Sequence, residues 1–291
     1  HDFAAVGTLL AGTKPAADLA ILNSYDDRWA IHTHEHHKDF NYREHLLHYY
    51  RPLAGGNVTT DIISTDASLD GYKLVIAPTL HLLNEERVAR LLEFVERGGH
   101  LVLTVRSGLK DDLNALLPSR PPGPLTEAAG VEVEDYYALI DTVPVSGALF
   151  TGTSSIWAER LRVRDEVDTE IIARFGPSNG WLDHQPAITA HAWGSGKVYV
   201  IGAWLDDDSQ HALLARIVKE AGVEPVMQTS SGVEARKRVD GQGKEVYIVV
   251  NHERTEQILG LPWPAHNHLT DREEVEDMLL APYGVAVLTR S

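Results

Sequence analysis

The 291-residue chain contains no cysteine. That absence excludes disulfides, thiolate metal sites and thiol nucleophiles together, and it points to the cytoplasm. Basic residues are also scarce: 26 Lys and Arg stand against 42 Asp and Glu, a net charge of −16. A field of that sign repels phosphate backbones and anionic lipid heads, so neither nucleic acid nor membrane is an expected partner. No run of 18 apolar residues occurs, and no signal peptide opens the chain, which begins on His1 rather than Met.

Hydrophobic residues make up 43% of the chain, enough at this length for two packed cores. Residues 1–14 read as a short amphipathic helix and linker. From there to Val105, strands alternate with helices. ADLAILNSY (17–25), VTTDIIS (58–64), YKLVIAP (72–78) and HLVLTV (100–105) are apolar strand candidates. Between them, residues 39–50 carry Tyr42, His45, Leu46 and Tyr49 at helical spacing, and Asn84 can cap a helix whose stripe is Val88, Leu91, Leu92 and Val95. Strands joined by helical crossovers are parallel, which predicts an open, doubly wound, flavodoxin-like α/β sheet.

After Arg106 the texture changes. PSRPPGP (118–124), with four prolines in seven residues, cannot be regular structure. TEAAGVEVEDYY reads as a short helix entering a strand, ITAHAW and KVYVIGAW as a hairpin, and Ser209–Ala221 as the last helix of this domain. Beyond it, short strand candidates separated by turn signals predict a small antiparallel β domain. The expected divisions are therefore 1–16, 17–226 and 227–291.

Candidate chemistry is sparse. In HTHEHH (32–37), His32, His34 and His36 would face one way on an extended segment and could ligate zinc or nickel, but the spacing matches no fixed ligand pattern, and the preferred reading is a polar loop leading into the next helix with no metal bound. GSGK (194–197) lacks the following Ser or Thr and helix of a phosphate loop and reads as a hairpin turn. Asp206, Asp207 and Asp208 precede a helix, where carboxylates cap and complement the macrodipole. Parallel sheets carry their sites at the carboxyl ends of strands, here Tyr25, Asp26, Thr79, His81, Arg106 and Ser107. Thr79 and Ser107 stand at strand-to-helix elbows outside any G-x-S-x-G setting. No cofactor motif is present, and no Asp/Glu spacing selects a carboxylate pair.

Several ordered segments carry a resemblance: ADLAILNSYDDRWA, YYRPL, LDGYKLVIAPTLHLLNEERVARLLEFVERGGHLVLTVRSGLKD, PGPLTEAAGVEVEDYYAL, PAITAHAWGSGKVYVIGAWLD, GVEARKRV, IVVNH and LLAPYGVAVL. Together they resemble the trimerisation domain and the carboxyl-terminal β domain of glycoside hydrolase family 42 β-galactosidases. The resemblance implies a middle domain similar to class I glutamine amidotransferases without their triad, a homotrimer, and a catalytic TIM barrel expected before His1. It implies that hydrolysis of galactosides belongs to that barrel and that this chain alone is inactive. No family catalytic residue has a matching position here. A cyclic trimer uses heterologous patches, and we expect Tyr25, Asp26, Trp29, His32 and His34, in a polar loop after the first strand, to lie at a subunit contact. Two alternatives remain: a free-standing sugar- or ligand-binding module using the strand-end crevice, and a hydrolase using Thr79 or Ser107.

Overall fold

The computed structural model describes residues 2–178 and 180–291, the side chains of Asp2 and Phe3 excepted. The chain divides into two compact units. The larger comprises Leu19–Tyr50 and Asp61–Val223; the smaller gathers His1–Asp18, Arg51–Thr60 and Glu224–Ser291.

In the larger unit, strands Leu19–Asn23, Leu74–Ala77, His100–Thr104 and Gly196–Ile201 run parallel as neighbours. The first three are buried along nearly their whole length, as strands covered on both faces must be. Beyond Gly196–Ile201 the sheet turns antiparallel through Pro186–Trp193, Thr169–Phe175, Val143–Gly147 and the long strand Thr151–Val163. The architecture is thus a mixed α/β sheet, eleven-stranded among the described residues. Helical crossovers join the first three parallel strands, whereas Gly196–Ile201 reaches its parallel place beside His100–Thr104 from the hairpin with Pro186–Trp193. GSGK is the tight connection of the Pro186–Trp193/Gly196–Ile201 hairpin. Gly194 there has φ +58, and a Cβ on it would meet the Glu96 backbone at 2.6 Å.

Local signals set the helices. Asn84 Oδ1 accepts the Arg87 amide at 2.8 Å and opens helix Glu85–Glu96. Asp206 Oδ1 accepts that of Ser209 at 2.9 Å and opens Asp207–Glu220. Ser24 does the same at the end of the first strand: its Oγ accepts the Asp27 amide at 3.0 Å, and helix Tyr25–Thr33 follows with Asp26 and Asp27 in its first turn. This corrects two expectations. Tyr25, Asp26 and Trp29 stand on a helix rather than in a polar loop, and His32 lies in its last turn rather than on an extended segment, because the Ser cap and two carboxylates favour a helix start here.

The smaller unit is an antiparallel sheet in the order Lys14–Pro15, Val233–Val239, Glu245–Asn251, Val285–Arg290, Ala265–Asn267, Arg272–Glu274, beside the strand pair Gln257–Gly260/Asp277–Leu280. Its core holds Val233, Tyr247, Val249, Leu259, Met278 and Leu288. Helix Asp2–Leu10 packs Val6 against Val246 and Val287. Asn57, at φ +55, ties the incoming segment down. Its Nδ2 donates to Thr229 Oγ1 at 2.6 Å, and its Oδ1 accepts the Ala235 amide at 2.8 Å.

Candidate functional site

The carboxyl ends of the parallel strands converge on a cluster of polar side chains, and nearly all of it is closed to water. Thr79, His81, Arg106 and Ser107 are brought together there, at 0, 1, 3 and 4% exposure. Thr79 and Arg106 both take left-handed backbone, at φ +47 and +66. Such turns let a strand break sharply at its end, and they cost a non-glycine residue free energy. Thr104 Oγ1 accepts the Thr79 amide at 2.7 Å and lies 3.0 Å from His45 Nε2. His81 Nδ1 is 3.1 Å from the Arg106 carbonyl.

Arg106 is the centre of the cluster. Its guanidinium carbon lies 4.7 Å from the ring centroids of both Phe40 and Trp157, a stacking geometry suited to a weakly hydrated planar cation. Its two terminal nitrogens donate to the carbonyls of Glu35, at 3.0 Å, and His34, at 2.6 Å. Its backbone amide donates to Glu159 Oε1 at 2.6 Å, and Trp157 Nε1 reaches the same oxygen at 3.3 Å. Burial lowers the guanidinium to about 10, so it is charged at neutral pH. Asp27 completes the polar set: fully buried, it accepts the Leu82 amide at 2.6 Å.

Burial dominates the electrostatics. It pushes the Asp27 carboxyl up to about 6 and that of Glu159 up to about 7, against the hydrogen bonds they accept. It drives His81 down to about 3 and His45 well below the usual imidazole range. Both imidazoles are therefore neutral. Acyl-transfer chemistry finds no purchase here. The hydroxyls of Thr79 and Ser107 are buried and neither has a hydrogen-bond partner among the described residues, so no imidazole is in place as their base: His45 Nε2 faces Thr104, and His81 holds the Arg106 carbonyl through Nδ1 while its Nε2 is buried without a partner. The strand-end crevice is filled by its own side chains.

The remaining candidates are outside this cluster. Tyr25 and Trp29 are each 62% exposed, their rings 6.0 Å apart on one helix face, and Asp26 is exposed beside them. His32 Nδ1 pairs with Glu35 at 2.8 Å, whereas the rings of His34 and His36 lie 6.4 Å apart. The metal reading of His32, His34 and His36 gains no support, since no group of three metal-ligating side chains comes together among the described residues. No helix among the described residues is long and apolar enough to cross a membrane.

Sequence reasoning missed Asp27, His45, Phe40, Trp157 and Glu159. A signal existed for three of them. Ser24-x-x-Asp27 is a helix-opening pattern, and Trp157, Glu159 and Leu161, all buried, are spaced two apart on a strand, which puts a carboxyl on the strand's inward face.

Comparison with known proteins agrees with this picture. The family described as Beta-galactosidase trimerisation domain matches residues 17–224, and Beta-galactosidase C-terminal domain matches 232–290. The chain is 32% identical to the β-galactosidase BglY of Alicyclobacillus acidocaldarius over 307 aligned positions, covering 100% of this chain and 44% of that protein. It is 34% identical over 226 positions to BgaH of Haloferax lucentense, covering 76% of this chain and 33% of that one. Among solved structures, the β-galactosidase of Bacillus circulans sp. alkalophilus superposes with a TM-score of 0.94 at 24% identity, over 100% of this chain and 44% of the other. The Halorubrum lacusprofundi enzyme gives 0.85 at 27%, over 98% and 41%. The chain thus spans less than half the length of these relatives, and the two matched domains leave no stretch of it for a catalytic barrel. It belongs to the family of β-galactosidase trimerisation domains, with the β-galactosidase C-terminal domain following, and fits the accessory, non-catalytic region of glycoside hydrolase family 42 enzymes.

Proposed function

We propose that this region assembles a cytoplasmic β-galactosidase as a homotrimer and carries, N-terminal to it, a TIM barrel that hydrolyses terminal β-galactosides with retention. Its larger unit is read as a flavodoxin-like, class I glutamine amidotransferase-like sheet whose strand-end crevice serves rigidity in place of catalysis. The observation that carries this reading is the pairing of a trimerisation-domain match over residues 17–224 with a strand-end cluster that exposes no nucleophile. The contact surface includes Tyr25, Asp26, Trp29, His32 and His34. A tyrosine and a tryptophan held one helical turn apart and 62% exposed are the kind of rigid aromatic anchors that dominate protein interfaces. In a cyclic trimer this face meets a different patch on the neighbour.

Sedimentation equilibrium of the 291-residue chain at micromolar concentration tests the assembly. A trimer is expected, with Tyr25→Glu and Trp29→Glu shifting the mass to that of the monomer. A strict monomer in the unaltered chain, assayed again with the barrel present, refutes the trimer. A trimer indifferent to both substitutions refutes the placement of the contact. The chain alone is expected to release no nitrophenol from nitrophenyl β-galactoside.

A further inference from the structure

A cleft of about 580 Å³ in the larger unit is lined by residues 137–144 together with Pro177, Ser178 and Trp181. Tyr137 and Trp181 form one side, their ring centroids 5.6 Å apart and their planes 42° apart, a shallow V of two aromatic faces. Ile140 and Pro144 add apolar surface, while Asp141 and Ser178 add polar groups at the rim. Ile140 is 97% exposed and Trp181 65%.

The walls are held in place. Asp183 Oδ1 accepts the amides of Ser178, at 2.8 Å, and Gly180, at 3.1 Å, and Leu182 is wholly buried beneath the loop. Opposite, the Gly176 amide donates to the Pro144 carbonyl at 2.8 Å, and that of Leu139 to Ile156 at 3.0 Å. Trp181 stands between Gly180, whose amide is held by Asp183, and the buried Leu182, so a ligand that covers the ring gains its apolar area at little ordering cost.

The lining selects the ligand class. No cationic side chain is among the described residues that line the cleft; Arg160, which hydrogen-bonds Tyr137, is paired with Glu134, and the chain carries a net charge of −16, so anionic ligands are disfavoured. A hydrocarbon would strip water from the Asp141 carboxylate and the Ser178 hydroxyl without replacing its hydrogen bonds. A neutral sugar meets both demands, with C–H faces for the aromatic V and hydroxyls for the polar rim.

We propose that this cleft is a binding site for neutral carbohydrate, with Trp181 and Tyr137 as the stacking platform and Asp141 as a hydroxyl acceptor. The choice of lactose as first probe rests on the galactosidase reading above; maltose is the second probe, so that the site and that reading can fail separately. Saturation-transfer NMR on the 291-residue chain is expected to show saturable, millimolar transfer to lactose, to maltose or to both, and little to galacturonate. Trp181→Ala is expected to weaken it at least tenfold, Asp141→Asn several-fold, and Trp181→Phe to restore most of it, while Leu113→Ala, at an exposed position outside the cleft, leaves it unchanged. Transfer to neither neutral sugar overturns the proposal. So does a signal that Trp181→Ala leaves intact, or a Trp181→Ala chain that loses oligomer mass with its sugar signal unaltered, since the cleft is then a protein contact.

Discussion

Glu159→Gln isolates the cost of the buried carboxyl that supports Arg106. In the unfolded chain this group titrates near 4.5 and in the folded protein near 7, chiefly because it is buried. The folded state therefore holds a proton that the unfolded chain releases. The associated stability is complete below the unfolded value and is lost as pH rises through the folded one, leaving a penalty of ~3 kcal/mol above pH 7. Asp27, raised to about 6 by burial, contributes with the same sign at slightly lower pH and is present in both proteins. Glutamine keeps an oxygen able to accept from the Arg106 amide and Trp157 Nε1 and has nothing to ionise. Removing the negative charge also deprives the Arg106 guanidinium of an attraction, but that attraction is the weakest of the influences on this carboxyl and burial the strongest, so the net effect is stabilising. Calorimetric melts of the larger unit at fixed ionic strength should place the variant above the parent at pH 8.5 by roughly 6–12 °C, at about 2–4 °C per kcal/mol for a domain of this size. The gap should close by pH 5. Parallel curves across that range, or a variant less stable at pH 8.5, refute the assignment of a neutral, burial-raised carboxyl.

Arg106→Met keeps most of the packing against Phe40 and Trp157 but removes both bonds to the His34 and Glu35 carbonyls. The expected result is a loss of about 2–3 kcal/mol together with amide exchange at residues 33–37 at least tenfold faster; unchanged exchange there would mean that the guanidinium does not hold this segment. Asn57→Ala leaves the buried Ala235 amide unpaired and puts a β-carbon residue with no polar compensation at φ +55. A loss of about 2–4 kcal/mol is expected in the transition of the smaller unit, and an unshifted transition counts against the role assigned to this side chain.

Features with local causes were legible in the sequence. The Asn84 and Asp206 caps and the GSGK hairpin depend on residues within a few positions of one another, and each is found as read. Helix Tyr25–Thr33 was not legible from periodicity because it buries only Asp27, Ala30 and Ile31, too narrow a stripe to register against its exposed aromatics and histidines. Its signal lay in Ser24, Asp26 and Asp27. The antiparallel half of the sheet was partly hidden for another reason: Thr151–Val163 pairs with three strands, Val131–Ala138, Val143–Gly147 and Ala203–Leu205, and no periodicity in one segment encodes three partners. The same limit hid the two-residue strand Lys14–Pro15, whose partners Val239 and Arg238 are at the far end of the chain.

Topology marked the strand-end position, where Thr79, His81, Arg106 and Ser107 are brought together, yet topology alone says nothing of whether such a crevice is open. Opening it here would break the Arg106 bonds to the carbonyls of residues 34 and 35, unstack its guanidinium from Phe40 and Trp157, and strip Glu159 and Asp27 of their amide donors. Each of these costs on the order of 1–3 kcal/mol, and together they exceed what a weak ligand at the crevice could return. The cluster therefore acts as a lock: Arg106 holds the carbonyls of residues 34 and 35, immediately after the helix that presents Tyr25 and Trp29. Recognition is left to surfaces that stay exposed and rigid, which is why the proposals of contact and of carbohydrate binding both rest on aromatic side chains outside the crevice.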